Sequence, residues 1–188
     1  MEELSAGGYR YIGMDHFALP DDELVHAQEA GGLQRNFMGY TTHAGCDLIG
    51  LGVSAISHVA ESFSQNFREL RKWETALAAA RLPVWRGLAL SDDDRVRAAV
   101  IGQLMCQGVI DTRAIEERFG IDFAAYFGEA LARLRSHVAD GLVCIGAGRI
   151  TVTSAGRFLL RSIAMCFDAY LKVAPPAEAP RPPFSRVV

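Results

Sequence analysis

Asp15 and His16 are the first residues in this chain that could move a proton. They follow Tyr9-Arg-Tyr-Ile-Gly13, which reads as a strand. Ligand sites in α/β folds lie beyond the carboxyl ends of strands, so either side chain could serve a site as acid, base or hydrogen-bond donor. The plainer alternative is a structural histidine packed beside Phe17. A second group follows. Phe37, Met38 and Tyr40 stand among Asn36, Gly39, Thr41 and Thr42, and Ile56 comes after Gly50 and Gly52. This group mixes a stacking surface, apolar contacts and polar groups around glycines that allow close backbone approach. An adenosyl ligand needs that mixture, and many ordinary cores contain it too.

Other constellations point away from chemistry. Histidines 16, 26, 43, 58 and 137 show no ligand spacing such as His-x-x-x-His, so no metal site is expected. Cys46, Cys106, Cys144 and Cys166 form no Cys-x-x-Cys pair and lie in or near apolar settings, which fits reduced core thiols. Gly50-x-Gly52 lacks the third glycine and the following helix of a dinucleotide fingerprint. Asp92-Asp93-Asp94 directly after Ser91 marks a helix start better than a calcium site.

The elements that must position these residues fall into three regions and a tail. Half of the 188 residues are hydrophobic and the formal charge is −3, enough for a real core and little for a nucleic-acid face. No apolar run reaches the roughly 18 residues of a membrane span, and the N-terminus reads as no signal peptide. Residues 1–60 hold the strand 9–13, a helix from Asp21-Asp22-Glu23 to Ala30, a loop or strand at 35–42 and a buried strand from Asp47 to Ile56. Residues 61–90 connect, with a helix from Glu69 to Ala80 that Pro83 ends. Residues 91–172 carry helices begun by Ser91, Asp111 and Asp122. A hairpin of Leu142–Ile145 and Arg149–Val152 and a closing helix follow. Residues 173–188 are rich in Pro and Ala and read as an extended tail.

Three helices, a hairpin and a closing helix make 91–172 winged-helix-like. The helix over 122–139 would then be the reader in a DNA complex. Its Arg133 and Arg135 are offset by Asp122, Glu129 and Asp140, which suits a docking or lid module better.

Several ordered segments together resemble the oxygen-independent coproporphyrinogen III oxidases, a radical S-adenosylmethionine family of haem biosynthesis. They are Ile12-Gly-Met-Asp-His-Phe-Ala18, Arg35-Asn-Phe, Gly39-Tyr-Thr-Thr42, Gly52-Val-Ser-Ala-Ile-Ser57, Gln65-Asn66, Arg86-Gly87, Asp140-Gly-Leu142, Gly156-Arg157 and Phe184-Ser-Arg186. The resemblance implies oxidative decarboxylation of two propionates of coproporphyrinogen III, giving protoporphyrinogen IX. It implies a four-iron four-sulfur cluster, S-adenosylmethionine cleaved to a deoxyadenosyl radical, and a cytoplasmic setting. It places Phe37, Met38 and Ile56 against S-adenosylmethionine. Met38 stands where the family has glutamine, and methionine offers no amide donor or acceptor.

By the same resemblance the fold class is α+β, mostly helical. The end of a radical-SAM barrel (1–60) precedes a helical C-terminal domain that packs on an absent N-terminal barrel. The family's Cys-x-x-x-Cys-x-x-Cys motif is not in this sequence, so the chain alone is expected to hold no cluster and to be inactive. Strands of 9–60 without barrel neighbours are expected to expose edges and to repack, dimerise or move. A non-catalytic haem- or porphyrin-binding module, or a winged-helix interaction module, stays open as the alternative. Nucleic-acid and membrane partners are not expected.

Overall fold

The computed structural model describes residues 2–171; the predicted tail 173–188, with Phe184-Ser-Arg186, lies outside the described residues. Helix α1 (Glu2–Ala6) leads into a hairpin of β1 (Arg10–Gly13) and β2 (His16–Ala18). Helix α2 (Glu23–Glu29) starts where Asp22 accepts the Leu24 N–H, the capping role its position predicts. A second hairpin pairs β3 (Gln34–Asn36) with β4 (Gly39–Thr41). Next come β5 (Ile56–Val59), β6 (Ser62–Asn66), helix α3 (Leu70–Ala78) and β7 (Val84–Ala89), which form one sheet in the order β5-β6-β7.

The second half runs through α4 (Asp92–Gln107), β8 (Val109–Asp111), α5 (Thr112–Phe119), α6 (Phe123–Tyr126) and α7 (Gly128–Ala139). Strands β9 (Val143–Gly146) and β10 (Arg149–Val152) then make the predicted hairpin, joined by β8 in the order β8-β10-β9. A 3₁₀ turn (Gly156–Leu159) and α8 (Leu160–Met165) close it. Ser91 and Asp94 exchange hydrogen bonds as a capping box, and Gly108 ends α4 in the left-handed region.

Four expectations need correction. The buried strand 47–56 does not form. Leu48 makes one bridge to His58, while Ile49 and Leu51 are 71% and 88% exposed. An all-apolar stretch is as compatible with a loop when no partner layer covers it, and the strand instead begins at Ile56. The helix expected over 122–139 is two, because the chain turns at Phe127, whose φ/ψ of −102° and 22° ends α6. The chain is a mixture of helix and strand rather than mostly helical. Every strand pair is antiparallel and no closed barrel forms among the described residues, so 10–60 does not show the parallel strands of a barrel end.

The boundary expected near residue 60 falls inside the β5-β6-β7 sheet, at the turn between its first two strands. Arg95 ties that turn to α4 by pairing with Glu61 and Asp92.

Two apolar clusters hold the chain together. The larger joins α4, β8, α5, α6, α7, the β9-β10 hairpin and α8 around Val100, Leu104, Ile110, Leu134, Ile150, Ile163 and Phe167. The smaller gathers Ile12, Ala18, Val25 and Leu33 around Cys106, which α4 presents on its opposite side. The front hairpins thus pack on α4. All six β7 residues, by contrast, are exposed at a free sheet edge.

Arg97 bonds α4 to the backbone just after α8. Its Nε donates to Asp93 at 2.8 Å and its Nη1 to the Phe167 carbonyl at 2.9 Å, while the Tyr126 hydroxyl donates to Asp93 at 2.6 Å. The Arg97 bond holds the Asp93 carboxyl below its ordinary value, helped by Tyr126. A carboxylate with a depressed folded value contributes stability above the ordinary value and loses it as pH falls through the folded one. Asp93→Asn therefore lowers the urea midpoint at pH 7 and flattens its decline below about pH 4. Urea melts at pH 7 and pH 3 check this, and equal acid declines in both proteins would refute it.

Candidate functional site

The register of the β5-β6-β7 sheet builds one face of the candidate site. Ile56 lies opposite Gln65 and His58 opposite Phe63, while Gln65 faces Arg86 and Phe63 faces Leu88. Residues opposite one another in a ladder share a side of the sheet. Ile56, His58, Phe63, Gln65, Arg86 and Leu88 therefore stand together. The tip of the β3-β4 hairpin reaches this face, and Phe37 meets Phe63 edge-on, with ring centroids 5.5 Å apart. His58 stacks on Phe63 at 4.3 Å. Phe37, Ile56, Phe63, Gln65, Arg86 and Leu88 thus line an open groove of about 420 Å³.

Local bonds fix the loop that leads to Ile56. Asn66, a buried polar residue, donates from its side chain to the Gly52 carbonyl at 2.8 Å and from its backbone to Ala55 at 2.9 Å. Gln65 Nε2 donates to the Ser54 carbonyl at 3.2 Å. A Cβ on Gly50 would sit 2.6 Å from the Ile56 carbonyl oxygen. The close approach that the glycines foretold at Gly50 is thus to the chain's own backbone.

The predicted residues divide into two places. Phe37 and Ile56 meet in the groove. Met38, 83% exposed, sits in the hairpin turn with its N–H donated to Asn36 Oδ1, and does not line the groove. Asp15 and His16 lie behind that hairpin. Asp15 Oδ1 approaches His16 Nδ1 to 3.0 Å without hydrogen-bond alignment, and the His16 ring meets Tyr40 edge-on at 5.2 Å. Tyr40 is the link to α4. Burial pushes its phenol up to about 12, so it stays protonated and donates to the Met105 carbonyl at 3.0 Å. A Cβ on Gly13 would sit 2.7 Å from Tyr40 Cζ, so glycine there lets the ring lie against β1.

Sequence reasoning assigned no role to Phe63, Gln65, Arg86 or Leu88. Gln65 and Arg86 do lie in segments that carry the family resemblance, and that signal was available. What it could not show is which strand pairs with which.

The residues present differ in how they fit the two implied cofactors. Burial pushes the Cys106 thiol up to about 11 and raises that of Cys166, while Cys46 and Cys144 are exposed. Thiolates ligate iron, and among the described residues no group of three His, Cys, Asp or Glu converges. These residues do not fit an iron–sulfur cluster. The groove's aromatic and aliphatic walls do fit the flat part of an adenosyl group.

Comparison with known proteins follows the same lines. The HemN C-terminal domain family matches residues 90–159. The oxygen-independent coproporphyrinogen III oxidase of Pseudomonas aeruginosa is 54% identical over 187 residues, covering 100% of this chain and 40% of its own length. Over its whole length the chain is thus similar to the C-terminal part of proteins of that name. The Escherichia coli protein of the same name is 45% identical over 98% of the chain. A solved structure described as "Coproporphyrinogen III oxidase (HemN) from Escherichia coli is a Radical SAM enzyme" superposes with a TM-score of 0.87 at 46% identity, covering 90% of this chain and 39% of that one. The chain spans about 40% of the length of these relatives.

Proposed function

We propose that this chain serves the oxidative decarboxylation of coproporphyrinogen III to protoporphyrinogen IX in haem biosynthesis, as the C-terminal part of an oxygen-independent oxidase. The observation that supports it most is the 54% identity running through the whole chain to a protein of that name. In this reading S-adenosylmethionine lies in the groove, with its adenosyl part against Phe37 and Ile56. Met38 flanks it from the turn, and Asp15 and His16 are the candidates for proton transfer. S-adenosylmethionine supplies the radical when it is bound to a reduced cluster. This chain's own residues offer apolar contact and exclude water.

The finer fold reading belongs to the same proposal. Residues 91–172 form a winged-helix-like module, a reading supported by α4, α5 and α7 with the β8-β10-β9 sheet, and it docks on the rest of the longer protein. The mixed charges of α7 favour docking over DNA contact. A cytoplasmic setting is also part of the proposal. No helix of the described residues is long and apolar enough to cross a membrane.

The test uses the coding region. An in-frame upstream segment carrying Cys-x-x-x-Cys-x-x-Cys is expected, and its full product should convert coproporphyrinogen III anaerobically. In that product Phe37→Ala should raise the KM for S-adenosylmethionine about tenfold, the loss of one aromatic contact. The 188-residue chain, reconstituted with iron and sulfide, should form no stoichiometric cluster and show no turnover. A cluster with activity on this chain alone would sink the reading.

A further inference from the structure

Arg86 is the one charged residue among those described as lining the groove. Its Nε donates to Gln65 Oε1 at 2.9 Å, and its guanidinium lies over the Trp85 ring at 4.7 Å from the centroid. Both contacts hold the plane of the side chain and neither uses the terminal Nη atoms. Among the described residues no carboxylate pairs with Arg86, although in the neighbouring helix Arg95 pairs with two and Arg97 with one. A guanidinium anchored through Nε presents its Nη groups as a fork, the geometry that binds a carboxylate with two parallel bonds. Phe37, Ile56, Phe63 and Leu88 line the same groove.

We propose that Arg86, held by Gln65 and Trp85, is the carboxylate-binding residue of the groove. Its ligand is an amphiphilic carboxylate: a flat, apolar body against the Phe37 and Phe63 rings, with its acid group on the Arg86 fork. The inference rests on the groove being the ligand site of the proposed function. Two sources share this chemistry, namely a propionate of the tetrapyrrole and the amino-acid carboxylate of S-adenosylmethionine. Gln65 is a positioning residue, acting only through Arg86.

The experiment titrates the 188-residue chain at 0.15 M salt with coproporphyrin III, followed by its absorbance, and separately with S-adenosylmethionine, followed by calorimetry. The variants are Arg86→Gln, Arg86→Lys, Gln65→Ala, Phe37→Ala and, as a control outside the groove, Arg149→Gln. Thermal melts confirm that each is folded. Arg86→Gln is expected to weaken binding about tenfold or more, the loss of a charge-assisted pair. Arg86→Lys should recover only part of it, Gln65→Ala should weaken binding by a smaller factor, and Arg149→Gln should match the wild type. Dependence on Arg86 with porphyrin alone assigns the carboxylate to the tetrapyrrole. Dependence with S-adenosylmethionine alone assigns it to the amino acid. If Arg86→Gln binds as tightly as the wild type while Phe37→Ala is weakened, the carboxylate role falls and the groove reading stands. If Phe37→Ala also binds unchanged, or if neither ligand binds the wild type, the groove reading and this inference fall together.

Discussion

Gly156→Ala is expected to destabilise this protein by about 3 kcal/mol, seen as a fall in Tm of about 6 to 12 °C. Gly156 follows β10 where the chain presses against the start of β9. A Cβ there would fall on the Leu142 carbonyl oxygen and sit 2.8 Å from Val152 Cγ1. Neither neighbour can yield. The Thr153 N–H donates to Leu142 at 3.0 Å, and Val152 is itself buried in the larger core. Strain is therefore relieved only by separating the β9-β10 hairpin from α8. Gly102→Ala is the control of opposite sign. Gly102 lies inside α4 with nothing within 4 Å of a new Cβ, so alanine should stabilise by about 0.5–1 kcal/mol through helix propensity. A Gly156→Ala protein that melts with the wild type would refute the close approach.

Tyr40→Ala is expected to release the front hairpins from α4 at a cost of about 2 to 3 kcal/mol. The substitution removes a ring from the smaller core, the bond to Met105 and the edge contact to His16. Amide exchange within 10–41 should quicken, while the amides of 92–139 exchange as in the wild type, because the larger core does not include Tyr40. Uniform acceleration through both halves would show that they unfold as one. Tyr40→Phe isolates the hydroxyl. The phenol's folded value is raised from 10.0 to about 12, so its contribution is complete below pH 10 and lost as pH rises toward 12. Tyr40→Phe should lose about 1 kcal/mol at pH 7 and show less of that alkaline decline in urea melts.

The second half of the chain was the more legible one. Ser91, Asp111 and Asp122 each cap the helix they were expected to start, and Gly146-Ala-Gly148 turns the predicted hairpin. Caps and tight turns act within a few residues, so the chain carries them locally. Residues 47–56 misled because apolar content reports a tendency to be buried without saying whether a partner exists. Here none covers Ile49 or Leu51. The break at Phe127 was hidden for a related reason. Phe123, Phe127 and Leu134 keep helical spacing across it, and only the folded backbone, turned at Phe127 where the ring packs on Phe167 at 5.5 Å, shows the bend.

The candidate site divides in the same way. Phe37 and Ile56 were named from the family resemblance, and the hairpin and sheet bring them to one groove. Met38 was named beside them, but its place in a two-residue turn sends the side chain to solvent. Asp15 and His16 were named from their place after a strand, yet they sit behind Tyr40 rather than in the groove. By itself the sequence determined the family likeness, the helix starts and the absence of a Cys-x-x-x-Cys-x-x-Cys motif, because each is written in adjacent residues. Only the tertiary structure decided that Gln65 and Arg86, 21 residues apart, hold one another on the face that carries Ile56. Strand register is fixed by pairing between distant segments, and no local pattern encodes it.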